Sequence, residues 1–153
     1  MKLNDEQKSV FEKVKTSSNN FFITGSAGTG KSYLLKYIVK YFLGKYGDTH
    51  VGVTAMTGLA AININGRTLH SWAGMGIDGK KKLNNFTMKN WNNCRVLIID
   101  EISMMSMEYF ESIFYKLRGV RVIMFGDFFQ LPPVESKMIF HSPQWENLRL
   151  ECI

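Results

Sequence analysis

A glycine-rich segment with a fixed lysine and serine constrains the fold of this chain more than any other feature. Gly25-Ser26-Ala27-Gly28-Thr29-Gly30-Lys31-Ser32 follows the apolar stretch 21–24 and precedes a stretch with apolar residues at helical spacing. An apolar strand, a glycine-rich turn and a helix in this order are typical of the P-loop in a parallel α/β sheet. The segment therefore predicts a P-loop fold with the loop at one edge of the sheet.

The residue types in this loop suit the binding of phosphate. Glycines let the backbone approach a ligand closely, and successive N–H groups at the start of a helix form a nest for anions. Lys31 is expected to reach the β- and γ-phosphates of ATP, and Ser32 is expected to ligate Mg²⁺. The predicted nucleotide-binding residues of the loop are Gly25, Ser26, Ala27, Gly28, Thr29, Gly30, Lys31 and Ser32. A glycine-rich turn that binds no ligand is the alternative.

Two adjacent acids follow a second apolar run. Residues 96–99 are all aliphatic, as in a strand covered on both faces, and Asp100 and Glu101 come next. The carboxyl end of a parallel strand lies beside the phosphate loop in such folds. We therefore expect Asp100 to bind Mg²⁺, through water, and Glu101 to act as the general base on the attacking water. A solvated strand end is the alternative.

A glutamine follows a third predicted strand. Residues 122–126 are mostly apolar, Asp127 ends the run, and Gln130 comes three residues later. A glutamine amide can donate to the γ-phosphate and accept from water. Gln130 is therefore expected to be catalytic together with Lys31 and Glu101. A simple turn after the strand is the alternative.

The rest of the chain alternates helical and strand patterns. Asn4 and Gln7 predict a helix start, because a capping residue with glutamine three positions later satisfies two backbone donors. A further strand is predicted at 51–54, and helices are predicted at 59–62 and 107–117. The strand that precedes Asp127 is predicted at 120–125, and residues 74–93 are the least regular. This order predicts one domain, 1–153, with a parallel sheet and helices on both faces.

Composition adds weaker constraints. The net charge of +6 and the pI near 9.3 fit a polyanionic partner without proving one. No apolar run has the length of a membrane span, and the N-terminus lacks the apolar core of a signal peptide, so we expect no membrane and a cytosolic or nuclear location. Cys94 and Cys152 form no Cys-x-x-Cys pair, and no zinc site is expected.

Taken together, the motifs resemble the first RecA-like motor domain of the Pif-one-type DNA helicases, within superfamily one and close to the RecD-like enzymes. The matching stretches occur in family order and cover nearly the whole chain. The most specific is Gly-Asp-Phe-Phe-Gln-Leu-Pro-Pro-Val at 126–134. The others lie at 3–7, 25–32, 54–61, 66–72 and 97–104.

The resemblance implies roles for individual residues. Gln7 is expected to read the adenine, and Gln130 to sense the nucleotide state. The single-stranded DNA contacts implied by the resemblance are Thr54, Thr57, Gly58, Thr68 and His70. Residues 74–93 occupy the position of a small inserted wedge. The family translocates 5′→3′ on single-stranded DNA and unwinds the duplex ahead.

The sequence departs from the family in two places. The connection at 116–121 is short, as expected of a divergent, RecD-leaning member. The second motor domain, with its arginine fingers, is not present in this sequence. The expectation is therefore a motor fragment that binds Mg-ATP but turns it over slowly, unless Arg118, Arg121 or a neighbouring copy supplies the arginine.

Other interpretations remain open. A non-catalytic DNA-binding or assembly module on a P-loop fold would have no need of Glu101. A P-loop kinase or similar transferase is disfavoured by Asp100, Glu101 and the motif at 126–134. Trp72, Phe128, Phe129 and His70 lie near the motifs and are candidates for stacking on bases, although core packing is favoured for Trp72.

Overall fold

The computed structural model of this chain describes residues 2–24, 30–76, 84–127, 139 and 142–152. The helices are α1 (Asp5–Thr16), α2 (Lys31–Tyr46), α3 (Gly58–Asn63), α4 (Leu69–Ala73), α5 (Asn85–Asn93) and α6 (Met107–Leu117). The strands are β1 (Phe21–Thr24), β2 (Val51–Ala55), β3 (Arg67–Thr68), β4 (Val96–Asp100), β5 (Arg121–Gly126) and β6 (Glu151–Cys152). Short 3₁₀ turns occur at Asp48–His50, Ile102–Met104 and Glu146–Leu148.

The described strands form one sheet in the order β3-β2-β4-β5-β1-β6. Every neighbouring pair is parallel, which confirms the predicted fold class. Strand β1 pairs with β5 and not with β2. Parallel strands are joined by connections that cross over the sheet through helices, so strands that are consecutive in the chain need not be adjacent in the sheet. All strands therefore end at the same edge of the sheet, which is called the carboxyl edge below, and begin at the opposite, amino edge.

Helices cover both faces because the side chains of the central strands alternate. Ile98 of β4 faces a core that contains Leu35 and Phe42 of α2, whereas Leu97 and Ile99 face a core that contains Phe110 of α6. Helices α1, α2 and α3 contribute to the first core, and α4, α5 and α6 contribute to the second. This arrangement explains why residues 96–99 of β4 are all aliphatic, since both faces of the strand are buried there.

The helix starts follow local sequence signals. The Asn4 side chain accepts from the backbone N–H of Gln7 at 2.8 Å, and the Gln7 side chain accepts from the N–H of Asn4 at 2.9 Å. This reciprocal pair confirms the predicted start of α1. Thr57 and Thr68 cap α3 and α4 in the simpler way, by accepting from an N–H three residues on.

The prediction that residues 74–93 are irregular is wrong for Asn85–Asn93, which form helix α5. Asn84 and Thr87 form a second capping box at its start, and the Trp91 indole N–H donates to the carbonyl of Ala73 at 2.9 Å. The helix is therefore part of the second core. Residues 77–83, which include three consecutive lysines at 80–82, lie outside the described residues, so the wedge assignment stays a prediction.

Trp72 belongs to the core, as favoured from the sequence. It is 6% exposed, and its ring lies 4.8 Å from the ring of Trp91 in an edge-to-face contact. Phe21 and Phe42 are also buried in the core. Phe128 and Phe129 lie outside the described residues. Within the described ranges, no helix is both long and apolar enough to cross a membrane.

Arg121 lies at the amino edge, where it has a structural role. Its Nε donates to the carbonyl of Asn19 at 2.8 Å, and its Nη2 donates to the carbonyl of Val14 in the last turn of α1, also at 2.8 Å. Because β5 extends about 17 Å from Arg121 to Gly126, this guanidinium is far from the carboxyl edge. Arg118 follows α6 at the same amino edge. Neither residue can serve as the internal arginine finger considered above.

Replacement of Arg121 by glutamine is expected to lower the free energy of unfolding by about 1–3 kcal/mol, because two carbonyls lose a charged donor. The matched control is Arg118→Gln, at an exposed position, with an expected change within about 0.5 kcal/mol. Urea denaturation of both variants measures the difference. Equal losses would contradict the assigned role of Arg121.

Candidate functional site

The carboxyl edge of the sheet gathers most of the described residues that were singled out from the sequence. Strand β1 ends at Thr24, directly before the phosphate loop, and β4 ends at Asp100. The predicted site residues at or next to this edge are Gln7, Gly30, Lys31, Ser32, Thr57, Gly58, Thr68, His70, Asp100 and Glu101. Residues 25–29 and Gln130 lie outside the described residues, so their assignments stay predictions.

Gly30 closes the loop at a position that only glycine fits. Its φ of +78° lies in the left-handed region, and it directly precedes α2. The Gln7 amide nitrogen donates to the Gly30 carbonyl at 2.9 Å, and a Cβ at Gly30 would collide with that nitrogen. The capping box of α1 is thereby tied to the end of the phosphate loop, although nothing in the sequence spacing of these residues reveals the contact.

Lys31 and Asp100 come from a helix and a strand, respectively, and interact electrostatically. Lys31 is the first residue of α2, and its positive charge acts on the Asp100 carboxyl. Burial nevertheless raises the pKa of Asp100, with a smaller contribution from the charge of Glu101, while the Glu101 N–H and Lys31 act in the opposite direction. The fold therefore holds a carboxylate in an environment that disfavours its charge. Such a group gains from a bound cation, and carboxylate and hydroxyl oxygens suit Mg²⁺.

Glu101 is held in a defined position at the end of β4. Its backbone φ of +55° is uncommon for a residue with a side chain, and its N–H donates to Asp100 Oδ1 at 2.8 Å. Its carboxylate Oε2 accepts a hydrogen bond from the Thr57 hydroxyl at 2.9 Å. β2 and β4 are neighbours, so the residues after them meet at the carboxyl edge. The Thr57–Glu101 contact follows from strand order and was not predicted from the sequence.

The five expected DNA contacts do not share one environment. Thr57, Thr68 and His70 are partly exposed, and Gly58 is exposed. Thr54, by contrast, is fully buried, and its hydroxyl donates to the carbonyl of Ile98 at 2.8 Å. The expectation that Thr54 contacts DNA through its side chain does not fit this structure, because the hydroxyl joins β2 to β4 inside the sheet.

His70 offers a ring rather than a charge. Its ring lies 4.6 Å from that of Tyr109, and burial lowers the pKa of the imidazole. At neutral pH the ring is therefore uncharged, so electrostatic attraction to a phosphate must come from other residues. A hydrogen bond or a stacking contact remains within its chemistry.

Arg67 supplies a positive charge on this side of the sheet that sequence reasoning had passed over. It is exposed, it precedes Thr68, and its Nη2 donates to Ser71 Oγ at 2.7 Å. Its guanidinium carbon lies 5.3 Å from the ring of Phe86, which is 60% exposed. The available signal was the position of the arginine directly before the motif of Thr68 and His70.

Replacement of Asp100 by asparagine is expected to raise the free energy of unfolding of the metal-free and nucleotide-free chain at pH 7. The amide is neutral, and its oxygen can still accept from the Glu101 N–H. Urea denaturation in EDTA measures the change. Asp100 has a raised pKa in the folded chain. The difference in free energy of unfolding between Asp100→Asn and the wild type must therefore become smaller as the pH falls and the carboxyl becomes protonated. A variant that is less stable at pH 7 would refute this account.

Comparisons with known proteins agree with this geometry. A family model described as PIF1-like helicase matches residues 2–147. ATP-dependent DNA helicase PIF1 of Saccharomyces cerevisiae is 40% identical over 95% of this chain and 20% of that protein. ATP-dependent DNA helicase PIF1 of Candida albicans is 45% identical over 97% of this chain and 18% of that protein. The chain thus spans about a fifth of the length of these relatives.

Solved structures give the same result. The crystal structure of Pif1 helicase from Candida albicans matches all of this chain, with a TM-score of 0.91 and 39% identity, and the match covers 39% of that chain. Pif1 helicase from Bacteroides in complex with ADP-AlF₃ and single-stranded DNA matches all of this chain, with a TM-score of 0.82 and 33% identity, over 42% of that chain.

Proposed function

Because this chain belongs to the PIF1-like helicase family, we propose that it is the ATP-binding first motor domain of a 5′→3′ DNA helicase. It couples ATP hydrolysis to translocation on single-stranded DNA and to duplex unwinding. One observation carries the proposal: Lys31, Asp100 and Glu101 meet at the carboxyl edge of the sheet. The comparisons support it, since the relatives are ATP-dependent DNA helicases and a Bacteroides relative was solved with ADP-AlF₃ and single-stranded DNA.

The nucleotide phosphates bind to the loop 25–32 in this proposal. Lys31 neutralises charge on the β- and γ-phosphates, and Ser32 and Asp100 hold Mg²⁺. The bound Mg²⁺ supplies positive charge that stabilises the phosphates during transfer. The partly buried position of Asp100 disfavours its charge in the free chain, and a bound cation would relieve this cost.

Gln7 can read the adenine without giving up its structural contacts. Its amide oxygen accepts from Asn4, and its amide nitrogen donates to Gly30. An amide has two acceptor sites and two hydrogens, so one of each remains for the adenine edge. The capping box and base recognition are therefore compatible roles of the same side chain.

Glu101 acts as the general base. It accepts the proton of a water molecule while the water oxygen bonds to the γ-phosphorus and the bond to ADP breaks. Gln130 orients the same water and senses the γ-phosphate in this proposal.

Single-stranded DNA binds on the side of β2 and β3. Thr57, Gly58, Thr68 and His70 provide hydroxyl, backbone and ring contacts, and Arg67 provides the charge that the neutral His70 lacks. Thr54 supports this surface from inside by joining β2 to β4. We further propose that a second motor domain, corresponding to part of the relatives' greater length, completes the site with an arginine.

A non-catalytic DNA-binding module is the alternative function. Such a module has no need of Lys31 or of acidic residues at positions 100 and 101, because binding DNA involves no general base. The presence of Glu101, held by two hydrogen bonds at the end of β4, favours the enzyme.

Lys31→Ala is expected to abolish detectable binding of Mg-ATP, because the loop loses its only side-chain cation for the β- and γ-phosphates. Lys36→Ala is the matched control, since Lys36 is exposed on the same helix and lines a different groove with Val39 and Ile64. Isothermal titration with Mg-ATP measures both. Unchanged affinity of Lys31→Ala would remove the phosphate-loop assignment.

ATP turnover should be measured on the same preparations, with and without single-stranded oligothymidine. Binding with slow turnover is the expected result for the wild-type chain. Glu101→Gln should keep the affinity for Mg-ATP and lose the remaining turnover. A variant that loses binding but keeps turnover would refute the role of Glu101 as base.

Arg67→Ala is expected to weaken binding of labelled oligothymidine and to reduce the slope of log affinity against log salt by about 0.7, the value for one phosphate contact on a single strand. Arg95→Ala is the control, because Arg95 is exposed but precedes β4 at the amino edge. Fluorescence anisotropy at several salt concentrations measures both slopes. Equal slopes for the two variants would place the DNA elsewhere.

A further inference from the structure

Thr57 joins the two halves of the candidate site through one hydroxyl group. The hydroxyl donates to Glu101 Oε2 at 2.9 Å, and its oxygen accepts from the Ala60 N–H at 3.3 Å. Thr57 is only partly buried, so a ligand on the DNA side can reach it. The same residue therefore contacts the expected general base and lies among the expected DNA contacts.

The hydroxyl has a single proton, and that proton has one acceptor at a time. In this structure, the acceptor is the carboxylate of Glu101. A carboxylate oxygen that already accepts a hydrogen bond has one fewer lone pair for water, and the hydrogen bond holds the side chain in place. The backbone of Glu101 adds to this restraint, because its N–H is bonded to Asp100 and its φ is +55°.

We propose that Thr57 is a positioning residue that couples DNA binding to the activity of Glu101. Without DNA it holds the carboxylate and keeps hydrolysis slow. When a DNA phosphate becomes the acceptor of the Thr57 proton, Glu101 is released and can align with the attacking water. This inference rests on the proposed function and adds to it the route by which single-stranded DNA stimulates hydrolysis.

Helix capping is the simpler explanation of Thr57, and it makes different predictions. A residue that only caps α3 would affect stability and the local shape of the DNA surface. The effect of Thr57→Ala on DNA affinity would then not depend on the identity of residue 101, and the substitution would not accelerate hydrolysis. The coupling requires both effects, because the hydroxyl restrains Glu101 when DNA is absent.

A double-mutant cycle on DNA affinity tests the coupling without any need for turnover. Glu101→Ala should tighten binding of labelled oligothymidine more in the wild-type background than in Thr57→Ala. The gain in affinity in the wild-type background should exceed the gain in Thr57→Ala by about three- to tenfold, the range for one hydrogen bond. Removal of the negative charge of Glu101 changes the affinity equally in both backgrounds, so it does not contribute to the coupling. The loss of the helix cap in Thr57→Ala does not contribute to it either, because it is the same with either residue at position 101. The Thr57→Ser background keeps the hydroxyl and should behave as wild type.

Turnover in the absence of DNA provides the second readout. Single-turnover hydrolysis of radiolabelled ATP should rise about three- to tenfold in Thr57→Ala, with little further stimulation by oligothymidine, whereas Thr57→Ser should match the wild type. An additive cycle, or a DNA-free rate that falls in Thr57→Ala, would overturn the coupling. Failure of the wild-type chain to bind Mg-ATP or oligothymidine would instead overturn the proposed function, so the two failures are distinguishable.

Discussion

Parallel pairing of β4 with both of its neighbours is the constraint on which the site depends. Residues Val96 to Ile99 are almost completely buried, and the register sets Ala55 of β2 opposite Asp100. A slip by one residue would turn Ile98 from the core of α2 to that of α6, so burial on both faces fixes the register. The same register brings Thr57 beside Glu101. The chemistry at the edge is therefore positioned by apolar residues in the sheet.

The two edges of the sheet serve different purposes. At the amino edge, Arg121 donates to two backbone carbonyls and packs over Phe21 and Phe42, which stabilises the fold. At the carboxyl edge, burial raises the pKa of Asp100, and Glu101 adopts a backbone conformation that costs free energy. Contacts at the amino edge thus stabilise the fold, where no chemistry is expected. The carboxyl edge, where a cation and a nucleotide are expected to bind, is destabilising, in keeping with the usual conflict between stability and function.

The extent to which the sequence predicted this structure follows from the strength of each local signal. Helix α6 has the predicted bounds, because Phe110, Ile113 and Leu117 repeat with helical period and Ser106 caps the start. Helix α5 was not predicted, because its Asn-rich sequence has few apolar residues, and Trp91 together with the buried Thr87 anchors it in the core. The Thr57–Glu101 hydrogen bond and the burial of Thr54 were out of reach, since both depend on the pairing of β2 with β4, which no local pattern encodes.

The positions of the arginines argue that this domain does not complete its own hydrolytic site. The chain has arginines only at 67, 95, 118, 121 and 149, and all of them are described. Four of them lie at the amino edge, where each precedes or begins a strand or follows a helix: Arg95, Arg118, Arg121 and Arg149. Arg67 is engaged by Ser71 and Phe86 on the side of β3, two strands away from β4. An arginine finger contributes about 10³ to 10⁵ in phosphoryl transfer, so under the proposed function fast turnover depends on a residue from outside this domain.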